Sequence, residues 1–250
     1  MIQDVFSAAG SNSLGGVSIH SDSKAISTNC AHPMAAINGL RNQNTQGVIG
    51  ICLVLPPSVV DQVNGVSADF QMNEGLVSMT INADIAQVVS DVLWPSIDVS
   101  IILDPVIIAK VDALLLEDDA IAPVFNALLP LAIIITSKTP EAAHLRAFCA
   151  LGLNVVLMKC AHLDGDKSPD VLIKDIGADW FNLPEVRTES IHGNSCILSA
   201  TIAAQIAQAF NLLDAVSTLK TYFAKEILQA DQLYVGSGCH PAHNFANLNN

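Results

Sequence analysis

Short runs rich in valine and isoleucine alternate along this chain with stretches whose apolar residues recur at helical spacing, and few architectures accommodate that order. Val48–Leu55, Val99–Leu103, Leu131–Thr136 and Asn154–Met158 read as buried strands, with a first short strand near Val5–Ala9. Ser58–Asn64, Ile85–Leu93 and Asp118–Leu128 read as helices between them. Strands spaced by helices close into βαβ units, which predicts an α/β fold with a mostly parallel sheet and helices on both faces. Runs that are apolar at nearly every position suit strands covered on both sides. No internal repeat, low-complexity tract or linker interrupts the pattern, so residues 1–250 are expected to form one domain.

The chain is 51% hydrophobic and only 14% charged, a balance that disordered chains lack. Its formal charge is −13 with 11 lysines and arginines, which argues against nucleic acid or an anionic membrane as partner. An anionic small-molecule substrate must then be met by a few local cations and helix ends. Six cysteines are scattered without a C-x-x-C pair, a usage that suits a reducing cytoplasm. Asp4 falls where an export signal needs apolar residues, so a cytoplasmic location is expected. Neither long uncharged run reads as a membrane span. Ala120–Ser137 is broken by Pro123 and Pro130, and Ser190–Leu213 sets Gln205, Gln208 and Asn211 against Ile202, Ile206, Phe210 and Leu213 as an amphipathic helix.

In open parallel sheets ligands bind outside the carboxyl ends of the strands. That rule singles out Asp104, Lys138 with Glu141, and Lys159 with His162, each just past an expected strand, and the Gly10–Gly16 segment after the first. Each also has an ordinary reading. Thr139-Pro140-Glu141 is a normal helix start, Gly15-Gly16 a turn, and Asp104-Pro105 a strand end. Their convergence on one edge of one sheet favours a site. Gly193-Asn194-Ser195-Cys196 leads into a long helical run, and a helix N-terminus offers unpaired N–H groups and a positive dipole end to a phosphate. A cysteine in that first turn has its thiolate favoured by the same field and can accept a proton. Cys239-His240-Pro241-Ala242-His243 looks like a metal cluster, but Pro241 spoils the pairing of the histidines and no second cysteine or acid lies near.

Several motifs, in order, give the chain a family likeness. Gly10-Ser11-Asn12-Ser13-Leu14-Gly15-Gly16 with Asp22-Ser23-Lys24 resembles G-S-D-S-x-G-G…A-D-x-K, and Gln43-Asn44-Thr45-Gln46-Gly47-Val48 resembles Q-N-T-x-G-V. Asp104-Pro105-Val106…Ala109-Lys110 is similar to D-P-V-M-x-A-K, and Thr136…Pro140-Glu141-Ala142 to T-P-N-x-P-E-A. Lys159…His162-Leu163 is similar to K-G-G-H-L, His192-Gly193-Asn194-Ser195-Cys196 to H-G-T-G-C, and Val235-Gly236…His243…Phe245 to the family's tail. These are signatures of the hydroxymethylpyrimidine/phosphomethylpyrimidine kinases of thiamine biosynthesis, which have the ribokinase-like fold, a three-layer α/β/α sandwich around a mostly parallel sheet.

The resemblance implies ATP-dependent phosphorylation of hydroxymethylpyrimidine, of its phosphate, or of both. It implies that Asp22 and Gln43 hydrogen-bond the aminopyrimidine, with Gly10, Met79 and Val106 lining the pocket. Asp104 and Glu141 would manage Mg²⁺, and Lys159 and Lys138 would lie near the nucleotide. Gly193, Asn194, Ser195 and Cys196 would form the anion hole, with Cys196 as the base; a homodimer is implied too. Departures from the pattern fall at the phosphate end. Asn194-Ser195 stands where the family has T-G, Lys138 where it has N, Cys160-Ala161 where it has G-G, Ser78 where it has a glycine, and the interval from Glu141 to Lys159 is short. Two other readings follow: a catalytically weak or inactive pyrimidine-binding relative, and a pyridoxal-type kinase. Asp22 and Gln43, an acceptor and a donor suited to an aminopyrimidine, weigh against the last.

Overall fold

Strands that are apolar at successive positions need cover on both faces, and the sheet of this protein has it. The computed structural model describes residues 1–80, 82–93, 100–106, 118–138, 155–159, 167–174, 177–184, 193–230, 233, 235–238 and 240–246, with the side chains of 118, 138, 167, 168, 183 and 184 set aside. In chain order the elements are β1 (Asp4–Asn12), α1 (Ile19–Thr28), β2 (His32–Asn44), β3 (Gly47–Leu53), α2 (Pro56–Ser67), β4 (Glu74–Ser78), α3 (Ala83–Leu93) and β5 (Ser100–Asp104). They continue with α4 (Asp118–Leu128), β6 (Ala132–Lys138), β7 (Val155–Lys159), β8 (Lys167–Lys174), β9 (Ala178–Pro184), α5 (Asn194–Ala207) and α6 (Leu212–Ala230). The strands form one sheet in the order β3-β2-β1-β4-β5-β6-β7-β8-β9.

β2, β1, β4, β5, β6 and β7 run parallel, as the βαβ reading requires, while β3 and the β8–β9 pair extend the two edges antiparallel. Alternate side chains divide between two cores. Phe6, Val77, Leu103 and Ile135 pack under α2, α3 and α4 with Val59, Ile85 and Phe125. Val5, Leu76, Ile102, Ile134 and Leu157 pack under α1, α5 and α6 with Ile26, Ile202 and Leu219. The result is the three-layer α/β/α sandwich of the ribokinase-like fold. The chain builds outward from β1 through β2 and β3, then returns to β4 on the other side of β1. That reversal between β1 and β4 is the topological switch point, where open sheets hold ligands.

Two sequence expectations need correction. The run Val48–Leu55 is not a buried strand: β3 ends at Leu53 and lies at the sheet's edge as the second arm of a hairpin with β2, leaving Ile49 76% exposed and Ile51 and Leu53 exposed. The run Ser190–Leu213 is not one amphipathic helix. α5 is buried at every position from Cys196 to Gln205 because it lies against β4, β5, α1 and α6. It stops at Ala207, Ala209 turns the chain with φ 65°, and Phe210 and Leu213 are exposed. Gln205, expected on a wet face, is buried and donates to Asn29 Oδ1 at 3.3 Å. Among the described residues no helix is long and apolar enough to cross a membrane.

Candidate active site

Parallel strands end together, so their last residues share one edge. Asn12 ends β1, Met79 follows β4, Asp104 ends β5 and Lys159 ends β7, while Arg41 and Gln43 lie in the last turns of the pleat of β2. The N-terminus of α5 rises against this edge, because Ser195 reaches both Asp104 and Lys159.

Asp104 and Lys159 are buried and paired, Nζ to Oδ1 at 3.0 Å. The Lys159 ammonium also donates to Ser195 Oγ and, at 3.3 Å, to Thr136 Oγ1. Ser195 Oγ in turn faces both Asp104 oxygens, at 3.1 and 2.9 Å. Thr136 and Ser199 share a hydrogen bond at 2.7 Å, and Ser199 donates to the Ser195 carbonyl at 3.1 Å. A buried ion pair is tolerable only when its remaining donors and acceptors are satisfied, and this ring of hydroxyls does that. It also fixes the first turn of α5 to three strands.

Gly193 caps α5 with φ 88°, a left-handed conformation that favours glycine. A Cβ there would lie 2.1 Å from the Gly16 carbonyl oxygen, so this turn and the Gly10–Gly16 segment touch backbone to backbone. Asn194 carries a buried Oδ1 without a hydrogen-bond partner among the described residues. Cys196 follows, 8% exposed, and its Sγ accepts the Ser18 N–H at 3.3 Å. Ser18 and Met79 both hold positive φ, 53° and 41°, although neither is glycine. Strain of this kind persists only where neighbours over-determine it. Asn38 Nδ2 holds the Met79 carbonyl at 3.2 Å, and Met79 Sδ meets Ser18 Oγ at 3.7 Å. The Met79 methyl lies across β1 where a Cβ at Gly10 would overlap it at 1.9 Å, so the absence of a side chain at Gly10 makes room for this thioether.

Asp22, on α1, is fully buried; Ser7 donates to its Oδ2 at 2.8 Å, while Oδ1 has no hydrogen-bond partner among the described residues. Burial, and then the charge of Asp104, push its carboxyl well above the ordinary range, against the pull of the Ser7 and Ser78 hydroxyls. Gln43 belongs to a different cluster: Asn12 Nδ2 donates to its Oε1 at 2.8 Å, and Ser13 Oγ bonds its backbone N and O at 2.9 and 2.7 Å. Val106, two residues past β5, is half-buried. The structure thus brings Gly10, Met79 and Cys196 together and, separately, Asp104, Lys159 and Ser195, with Asp22 beside the second group. Lys138 pairs with Lys159 in the β6–β7 ladder, but its side chain, Glu141, His162 and His192 lie outside the described residues. Among the described residues no three potential metal ligands cluster. His240 and His243 of the tail are taken up by backbone, at Val235 O (2.8 Å) and Phe245 N (3.2 Å).

Sequence reading missed Arg41, Ser18 and the Thr136–Ser199 pair. Arg41 is hidden by a bulge. β1 and β2 slip by one residue at Asn38, and buried positions switch from even (Met34, Ala36) to odd (Arg41, Gln43). Without that slip an arginine beside the exposed Leu40 and Asn42 reads as a surface residue. The guanidinium is buried, and burial lowers its pKa while the nearby Cys196 opposes the drop. Ser18 acts through its backbone N–H, which no residue identity announces.

A helix N-terminus, a thiol and a buried lysine–aspartate pair thus meet at the carboxyl edge of the sheet, where folds of this class hold their ligands. The chain belongs to the phosphomethylpyrimidine kinase family, whose profile, described as Phosphomethylpyrimidine kinase, matches residues 12–243. It is accordingly a phosphotransferase. It is 34% identical to the hydroxymethylpyrimidine/phosphomethylpyrimidine kinase of Escherichia coli (strain K12) over 95% of both chains. Among solved structures it is similar to phosphomethylpyrimidine kinase from Clostridium difficile 630, at 26% identity and TM-score 0.77, covering 90% of this chain and 98% of that one. Bacillus subtilis pyridoxal kinase, solved as an ADP complex, shares the fold at TM-score 0.90 over 100% of both chains with 20% identity.

Proposed function

We propose that this protein transfers the γ-phosphoryl group of ATP to the hydroxymethyl oxygen of hydroxymethylpyrimidine, to the phosphate of the resulting monoester, or to both, as a step of thiamine biosynthesis. The observation that carries the reading is Cys196, set in the first turn of α5 at the carboxyl edge of the sheet with a backbone N–H on its sulfur. Phosphoryl transfer asks a protein mainly to position reactants, to neutralise spreading charge and to accept a proton. Cys196 takes the hydroxyl proton. The N–H groups at the start of α5 meet the phosphoryl oxygens, and Lys159 stands at Ser195 with its positive charge. Asp22 Oδ1, buried without a hydrogen-bond partner among the described residues, is the acceptor left for an exocyclic amine, and Gln43 reads the other side of the ring.

Magnesium is commonly held by one or two carboxylates together with substrate phosphates and water. Asp104 supplies one such carboxylate at the strand edge, so the donor set fits that sparse requirement, with Glu141 as the second group implied by the family motif. Magnesium bound there would offset charge on the nucleotide phosphates. A second reading, a pyrimidine-binding relative without turnover, draws on the occupancy of Asp104, both of whose oxygens already face Ser195. ADP release with hydroxymethylpyrimidine and with its phosphate, beside a calorimetric titration of each, decides between them. Turnover supports the kinase; binding with no ADP release supports the second reading. Sedimentation of the same preparation tests the homodimer that the family implies.

A further inference from the structure

Arg41 is a buried cation at the site. It is 8% exposed, its Nε has no hydrogen-bond partner among the described residues, and its Nη2 points at the Met79 thioether. Among the described residues no carboxylate pairs with it, although the chain carries 24 acidic residues and a charge of −13. Charges are rarely buried without partners, because the desolvation penalty remains large even after the protein relaxes around them. A bulge in β2 turns this arginine inward, and two residues with positive φ, Ser18 and Met79, frame the place it faces. Ser18 joins the same sulfur to Cys196: its hydroxyl lies 3.7 Å from Met79 Sδ and its N–H 3.3 Å from Cys196 Sγ. The cation and the thiol therefore flank one spot, where the acceptor oxygen must arrive if Cys196 is to take its proton.

We propose that Arg41 is a specificity-determining residue that binds the phosphate of a phosphomonoester acceptor, making the second phosphorylation, of the monophosphate to the diphosphate, the reaction this site favours. The proposal rests on the kinase reading above. A guanidinium grips a phosphate in a two-pronged geometry that suits neither an alcohol nor a ring nitrogen. The two acceptors then use different groups. With the alcohol, the hydroxyl oxygen attacks the γ-phosphorus, its proton passes to Cys196, and the bond to the β–γ bridging oxygen breaks with its electron pair leaving on ADP. With the monophosphate, whose second pKa is about 6, an already deprotonated oxygen forms the new O–P bond while the same bond to ADP breaks, and no proton needs a base. Arg41 neutralises the acceptor's charge in the second case and has no anion to bind in the first.

The test compares kcat/KM for the monophosphate and the alcohol in the unmodified protein, Arg41→Gln and Cys196→Ala. Arg41→Gln should lower the monophosphate-to-alcohol ratio about 10- to 150-fold, the range for a hydrogen bond to a charged group. Cys196→Ala should raise that ratio. Arg41→Met, which removes a buried charge, should melt at or above the unmodified protein. Equal loss toward both acceptors in Arg41→Gln, or a fall in melting temperature for Arg41→Met, would show a structural or thiolate-supporting arginine and overturn the proposal. A binding arm needs no variant: without nucleotide, the unmodified protein should bind the pyrimidine monophosphate at least tenfold tighter than the alcohol, and equal affinities overturn the proposal. If the unmodified protein turns over neither acceptor the kinase reading fails, and the binding arm then decides Arg41 by itself.

Discussion

Cys196 and Asp22 carry opposite ends of the proposed chemistry, and single substitutions separate them. General-base catalysis contributes roughly 10²–10⁴-fold. Cys196→Ala should therefore slow phosphorylation of the alcohol by about that factor while leaving pyrimidine affinity nearly intact, measured as ADP release beside calorimetry. Near-normal turnover would reduce the sulfur to a small packing group. Asp22→Asn keeps the side chain's shape but replaces one of its two acceptor oxygens with an amide donor, so the Ser7 hydroxyl and a ring amine must compete for the one acceptor that remains. Aminopyrimidine binding should weaken by about 1–3 kcal/mol with nucleotide affinity unchanged. Equal loss of both ligands would show that Asp22 supports the strand edge as a whole, through Ser7 and its neighbour Asp104, and reads no ring. At this scale the sequence points to side chains within contiguous motifs, such as Asp104, Lys159 and Cys196, which the structure gathers at the strand edge. It hides Ser18, which acts by its backbone, and Arg41, whose inward turn depends on a one-residue slip between strands.

α5 ties the site to the scaffold, and its start leaves no room for a side chain at Gly193. Gly193→Ala would combine a left-handed residue with a Cβ 2.1 Å from the Gly16 carbonyl. Backbone atoms cannot swing aside as a side-chain end can, so the helix start and the Gly10–Gly16 segment must separate. We expect a melting temperature lowered by several degrees and weakened binding of ATP; a variant with unchanged nucleotide affinity would place the phosphates elsewhere. The helices α2, α3 and α4 and the central strands were legible because each meets one requirement, apolar residues at a fixed period. β3 and α5 were misread because exposure depends on what packs against an element. The same Val/Ile run is core in the middle of a sheet and edge in a hairpin, and a helix enclosed by α1, α6 and the sheet has no wet face for a polar stripe to mark.

The whole molecule is acidic, yet it buries Glu74, Glu226 and Asp22 with no ion pair among the described residues, and this should govern its response to pH. Glu74, at the start of β4, has its carboxyl pushed up to about 9 by burial. Glu226, on α6, is pushed up to about 8 by burial, with the Tyr222 hydroxyl pulling the other way. Asp22 is raised for the same first reason. In the unfolded chain the two glutamates release their protons near the ordinary value of 4.5, whereas the folded protein keeps them. Between about pH 4.5 and 8–9 the native state thus binds more protons than the unfolded one, and stability falls as pH rises through that window. Below it both states are protonated and nothing is lost; above it both are charged and the penalty is constant. Glu226→Gln, neutral at every pH, should match the unmodified protein near pH 4 and become more stable than it as pH climbs. The gap should reach on the order of 2–4 kcal/mol by pH 8 and level off above it. Glu74→Gln should open a similar gap that levels off about one unit higher. Urea unfolding across pH 4 to 10 reads both. If the variants run parallel to the unmodified protein at every pH, these carboxylates titrate as exposed ones do, and the cost of burial has been met by partners that the folded chain supplies.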